Sequence, residues 1–220
     1  MTTIRIILRI GRLLAVLAFC LAGYHLAAGR ERARWVPRFL AGAARSAGAR
    51  VRIVGTPLSR NVLFVANHLS WLDILALGGA TGAAFVSKDA VSRWPIVGWL
   101  ARIGGTIFID RTSRGAARGQ ADSLAAALAS GRPAAFFPEG TTGDGVTLRP
   151  FRASLFASVA PPPPGVRIQP VAIDYGPATR EVAWPDEESA MPEPHLRAGD
   201  TDREAVAAAL GTHMAAGRLT

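Results

Sequence analysis

The chain has 220 residues, half of them hydrophobic, with 25 basic and 16 acidic side chains and a formal net charge of +9. Its single cysteine, Cys20, excludes an intramolecular disulfide framework, and no grouping of His, Cys, Asp and Glu has metal-ligand spacing. The basicity does not indicate nucleic acid. Residues 1–60 hold eleven arginines and one acid, Glu31, whereas 61–220 hold fourteen basic and fifteen acidic side chains. An excess confined to one N-terminal stretch suits an anionic membrane surface.

That stretch contains an apolar run over 13–28, broken only by Tyr24 and His25 and extended outward by Ile4, Ile6, Ile7 and Leu8 between Arg5, Arg9 and Arg12. Its sixteen residues fall short of the ~20 that cross a bilayer. Three readings stand: a crossing helix whose flanking arginines snorkel, a helix lying in the interface, and a cleaved signal peptide ending near Leu26-Ala27-Ala28-Gly29. The expected organisation is a membrane anchor over 1–30, a basic connector over 31–50 and one domain over 51–220, where ~170 residues suffice for one core.

Within that domain apolar, β-branched runs predict strands at 51–54, 62–66, 84–87, 106–110, 134–137 and 166–175. Helical patterns at 71–77, 95–103, 116–130 and 151–159 alternate with them. The alternation predicts an α/β fold, a single domain with a mixed, mostly parallel sheet flanked by helices and preceded by a membrane-associated helix. Leu124 and Leu128 read as a packing stripe, 161–164 as a stiff proline connector, 181–193 as a solvated acidic loop, and 201–219 as an amphipathic helix. The Trp-rich stretch 94–100 suits core packing, an acyl pocket or the membrane interface.

Three strands end on polar residues. Val62-Leu63-Phe64-Val65-Ala66 runs into Asn67-His68-Leu69-Ser70-Trp71-Leu72-Asp73. On one continuous helix an offset of five would put His68 and Asp73 on different faces. With His68 in a turn and Asp73 one helical turn inside, the carboxylate reaches one imidazole nitrogen and leaves the other as acceptor, which is what deprotonating an alcohol requires. The second strand ends on Asp110-Arg111, where Arg111 offers a fork for phosphate. The third, Ala134-Ala135-Phe136-Phe137, enters Pro138-Glu139-Gly140-Thr141-Thr142-Gly143, in which Pro138 stops the ladder and the glycines permit close backbone approach. There is no Gly-x-Ser-x-Gly elbow, so a serine hydrolase finds no support.

In this order the blocks resemble the glycerolipid acyltransferase family typified by lysophosphatidic acid acyltransferases: His-x4-Asp (His68, Asp73), a strand ending in Arg (Arg111), Phe-Pro-Glu-Gly-Thr (Phe137 to Thr141) and a proline-bearing strand (Ile168-Gln169-Pro170-Val171). The resemblance covers about residues 50–176. It implies a membrane-bound O-acyltransferase of phospholipid biosynthesis, carrying an acyl chain from acyl-CoA or acyl carrier protein to the free hydroxyl of 1-acyl-glycerol-3-phosphate. No cofactor is implied beyond the donor, which enters as substrate. By the same resemblance His68 and Asp73 are catalytic, while Arg111, Glu139, Gly140, Thr141 and Arg152 meet the lysolipid acceptor. Because such thioesters are cytosolic, the expected location is the inner membrane with the catalytic domain facing the cytoplasm.

One departure bears on the acceptor. Family members that use lysophosphatidic acid commonly carry Arg after Glu-Gly-Thr, and this chain has Thr142-Gly143-Asp144-Gly145. That form resembles lyso-ornithine lipid O-acyltransferases, the second acceptor reading. A non-catalytic lipid-binding or scaffold protein is the alternative of another class, against which the intact His68, Asp73 and Glu139 argue.

Overall fold

The computed structural model describes residues 2–109, 114–143, 149–151, 156 and 163–175. Helix α1, Thr2–Leu26, is followed by a 3-10 segment, Gly29–Arg34, and by α2, Trp35–Ala47. The sheet comprises β1, Val62–Ala66, β2, Ala84–Lys88, β3, Ile107–Ile109, β4, Ala134–Phe136, and β5, Arg167–Val171. Between them lie α3, Leu72–Thr81, α4, Asp89–Ser92, α5, Pro95–Ile103, and α6, Arg114–Ala129.

The strand order is β3-β2-β4-β1-β5 and every pairing among the described residues is parallel. Chain order and spatial order therefore differ, since β4 inserts between β1 and β2. Strand β1 is buried on both faces, which is why its sequence is a continuous apolar run instead of an alternation. Leu63 and Val65 pack with Leu124, Leu128, Phe136 and Phe156, whereas Val62, Phe64 and Ala66 pack with Leu77, Phe85 and Phe137. The predicted Leu124 and Leu128 stripe is thus core, at 2% and 0% exposed.

Several elements differ from the sequence expectation. Residues 51–54 form no strand; Val51, Ile53 and Val54 are exposed, and among the described residues no strand pairs with them. Strand pairing over the predicted 166–175 stops at Val171. Of the predicted helix at 151–159 only Phe151 and Phe156 are described, and 181–193 and 201–219 lie outside the described residues. Leucine-rich α1 is longer than the apolar run suggested: it continues through Arg12, Arg9 and Arg5, giving 25 residues, or about 37 Å at the rise of an α-helix. Its Thr3–Leu26 portion is long and apolar enough to cross a membrane.

The segment read as a connector holds α2, which packs between α1 and α3. Its buried residues are Gly42, Ala43, Ala44 and Ser46, small side chains that let helices approach closely. A Cβ on Gly42 would come within 2.5 Å of Val16 in α1, and one on Gly79 in α3 within 2.8 Å of the Ala41 backbone. Trp35 covers Gly23, stands edge-on to Phe19 at 5.5 Å, and carries Arg38 over its ring. Outward, α1 exposes Ile4, Ile7, Leu8, Leu14 and Phe19. So large an apolar face in water marks a surface that something apolar covers.

Candidate active site

Parallel pairing sends the carboxyl ends of β4, β1 and β5 to one edge, where open α/β sheets place their ligands. The register sets the site. Val65 is opposite Phe136, and three residues beyond each, His68 and Glu139 meet through a bond from the His68 main-chain N–H to the Glu139 carboxylate. Ala66 is opposite Val171, and Asn67 continues that edge with its side chain: its Nδ2 donates to the Ile173 carbonyl at 3.0 Å, and its Oδ1 accepts the Ile173 N–H at 2.7 Å. An amide side chain thereby replaces a ladder rung and holds the exit of β5, including Tyr175, against the turn after β1.

His68 Nδ1 lies 2.8 Å from Asp73 Oδ2. The same oxygen accepts the main-chain N–H of Leu69 at 2.6 Å and of Ser70 at 2.8 Å, while Oδ1 accepts the Tyr175 hydroxyl at 2.5 Å. Asp73 is fully buried at the start of α3, where the helix dipole favours an anion. Burial pushes its carboxyl up, but donors from His68, Ser70, Tyr175 and Leu69 outweigh that and hold it below the ordinary carboxylate range. An ionised carboxylate only accepts, so Nδ1 carries the hydrogen and Nε2 is left as acceptor. The Tyr175 phenol is pushed well above its ordinary range by burial, by its bond to Asp73 and by that charge, so it remains a donor.

The third block does more than border the site. Its Glu139, 5% exposed, accepts the His68 main-chain N–H at 3.0 Å and the Arg149 main-chain N–H at 3.2 Å. Gly143 N–H donates to the His68 carbonyl at 2.7 Å. The turn itself closes through Gly140 N–H on the Phe137 carbonyl, with Gly140 at φ +72°, a conformation that other residues adopt at a cost. Phe137 stacks on the His68 ring, centroids 3.9 Å apart and planes within 9°.

The structure thus brings together His68, Asp73, Glu139 and Gly140, with Thr141 and Thr142 exposed on the same turn. Arg111 and Arg152 lie outside the described residues. Three contributors were given no role from sequence: Tyr175, and Phe137 and Asn67, which were named only as members of the motif blocks. The usable signal for Tyr175 was its place, one of two tyrosines and the polar end of an apolar strand. Among the described residues no group of three or more His, Cys, Asp and Glu is placed to hold a metal. Trp94, Ile96, Val97 and Trp99 on and beside α5 are exposed, so of the three readings of that stretch core packing does not describe them.

A family model described as Acyltransferase matches residues 50–174. The lyso-ornithine lipid O-acyltransferase of Pseudomonas aeruginosa is 39% identical over 188 residues, which cover 80% of this chain and 70% of that protein. The Rhodobacter capsulatus protein of the same name is 42% identical over 58% of this chain and 47% of its own length. The 1-acyl-sn-glycerol-3-phosphate acyltransferase of Neisseria meningitidis is 36% identical over 56% of this chain and 48% of its own length, so the chain spans about half of these last two relatives. The crystal structure of the 1-acyl-sn-glycerophosphate (LPA) acyltransferase PlsC from Thermotoga maritima shares the fold, with a TM-score of 0.58 at 24% identity over 77% of this chain and 74% of that one.

Proposed function

Because the chain belongs to the acyltransferase family, we propose that it transfers an acyl group from a thioester, on coenzyme A or acyl carrier protein, to the free hydroxyl of a lysolipid. The observation that carries this is the His68–Asp73 pair, a base oriented at Nδ1 by the carboxylate, which leaves Nε2 as the acceptor for a hydroxyl proton. As His68 Nε2 takes the hydroxyl proton, the lipid oxygen bonds to the thioester carbonyl carbon. The tetrahedral intermediate then expels the thiolate as the C–S bond breaks, and the imidazolium returns its proton to sulfur. Asp73 stabilises the imidazolium between these steps and no covalent enzyme intermediate is needed. His68→Ala, folded and still membrane-bound, is expected to lose about 10²–10⁴ in rate. Near wild-type turnover by that variant would overturn the mechanism.

For the acceptor, two relatives' names and Thr142 weigh toward lyso-ornithine lipid, ahead of the phosphate-bearing 1-acyl-glycerol-3-phosphate that the presence of Arg111 in the sequence favours. This reverses the order drawn from sequence. Side-by-side assays of both lysolipids test it: the ornithine lipid is expected to turn over faster, and Thr142→Arg to shift preference toward the phosphate. A faster reaction with lysophosphatidic acid in the wild type restores the other reading.

The anchor reading belongs here as well. The fit of Val16 against Gly42 and of Gly23 beneath Trp35 supports α1 as a retained membrane helix over a cleaved leader. With cytosolic thioesters as donors, the domain faces the cytoplasm from the inner membrane. Sequencing the mature N-terminus from the native membrane tests this, and loss of about 28 residues would overturn it.

A further inference from the structure

Resting on the acyl-transfer reading above, we propose that Tyr175 is a positioning residue for the base, acting through Asp73: its hydroxyl fixes Oδ1 so that Oδ2 stays aimed at His68 Nδ1. Rotation of a carboxylate about its Cβ–Cγ bond is soft, because this sp3–sp2 torsion has broad wells. Three donors on Oδ2 alone leave the second oxygen to decide the plane of the group. Tyr175 supplies that second point, 102 residues away in sequence, from beyond the end of β5.

The hydroxyl is held as firmly as the carboxylate. Pairing of β1 with β5 continues through the two bonds between Asn67 and Ile173, and Tyr175 follows two residues later on the same edge. A hydroxyl on a ring with two torsions, tied down two residues from a rung, is a rigid donor. Its role is therefore geometric: its hydroxyl is bonded to Asp73 Oδ1, and its removal acts on kcat through the orientation of the imidazole.

The test uses the full-length protein with Tyr175→Phe, which keeps the ring and its packing. In detergent-lipid micelles kcat is expected to fall about 10-fold while KM for the lysolipid stays within about twofold. In parallel, two-bond 1H–15N correlations of the imidazole rings, with His68 assigned by its loss in His68→Ala, are expected to move at the His68 Nδ1 resonance in Tyr175→Phe. This spectrum needs no lipid and no turnover. If wild-type protein acylates no lysolipid yet the His68 signal moves, the positioning role stands and the acyl-transfer reading fails. An unmoved His68 signal overturns the proposal whatever the activity, as does an unchanged kcat. A fall in kcat matched by a lower melting temperature with the His68 signal in place assigns Tyr175 to packing alone and overturns it equally.

Discussion

Glu139 separates what resemblance implies from what the geometry supports. Resemblance puts its carboxylate against the acceptor, whereas in the structure both oxygens are spent on main chain: Oε1 on the His68 N–H and Oε2 on the Arg149 N–H. Glu139→Ala removes both. The part-buried His68 N–H then stands unpaired at a cost of about 1–3 kcal/mol, while Arg149 is exposed and water replaces its partner for less than about 1 kcal/mol. A loss of about 2–3 kcal/mol in stability follows. Glu139→Gln keeps one oxygen for His68 and loses only the bond from Arg149, so less than about 1 kcal/mol is lost. Activity should fall further than stability, since a base displaced by about 1 Å costs on the order of 10² in rate. Steady-state assays with varied lysolipid, alongside thermal melts, are expected to show Glu139→Ala with reduced kcat and a KM near wild type, and Glu139→Gln, which keeps the bond to His68, closer to wild type in both. A KM raised at least tenfold with kcat intact would refute the clamp and return the carboxylate to the acceptor site.

Phe137→Leu keeps apolar volume but removes the face stacked on His68, so kcat should fall about 10-fold at a stability cost of about 1–2 kcal/mol; full activity would reduce the stack to packing. Trp94→Ser combined with Trp99→Ser, both exposed, should slow turnover of vesicle-held lysolipid about 5-fold and leave a short-chain, water-soluble one unaffected; equal effects on both would place the pair in an acyl pocket. Because the folded Tyr175 phenol titrates above its ordinary 10.0, the unfolded chain ionises first as pH rises. Stability should therefore hold below about pH 10 and fall above it, a fall that Tyr175→Phe reduces in melts taken across that range. Asp73 acts with the opposite sign: its folded carboxyl lies below the ordinary 3.8, so its contribution is present above that pH and lost as pH falls through the lower value, and Asp73→Asn should flatten that acid limb.

What the sequence disclosed and what it concealed divide along local and non-local lines. Strand β1 was legible because burial on two faces writes five apolar residues in a row, and the His68–Asp73 pair because a turn and one helical turn lie within six residues. Helix α2 was not, since its buried face is Gly42, Ala43, Ala44 and Ser46, which carry no apolar periodicity. The opposite error arose at 51–54, where Val51, Ile53 and Val54 form a β-branched run that is exposed and outside the sheet. The clamp by Glu139 and the bond from Tyr175 depend on β4 and β5 flanking β1, an order that chain sequence does not state.

That order also bears on how His68 would serve as the proposed base. An acyl transfer without a covalent enzyme intermediate asks the base to meet two substrates at once, so catalysis depends on how little its nitrogen wanders. Here the main chain of His68 is gripped at both ends, its N–H by Glu139 and its carbonyl by the Gly143 N–H, while the ring lies on Phe137 and its Nδ1 on Asp73. These constraints come from β4 and its turn, from α3, and through Asp73 from the end of β5, with the ring 16% exposed on the side that remains. The parts that fix the base are buried, and Thr141 and Thr142, on the same turn, are exposed. On the proposed function, changes at the exposed threonines would retune the acceptor while the buried set keeps the proton transfer in place.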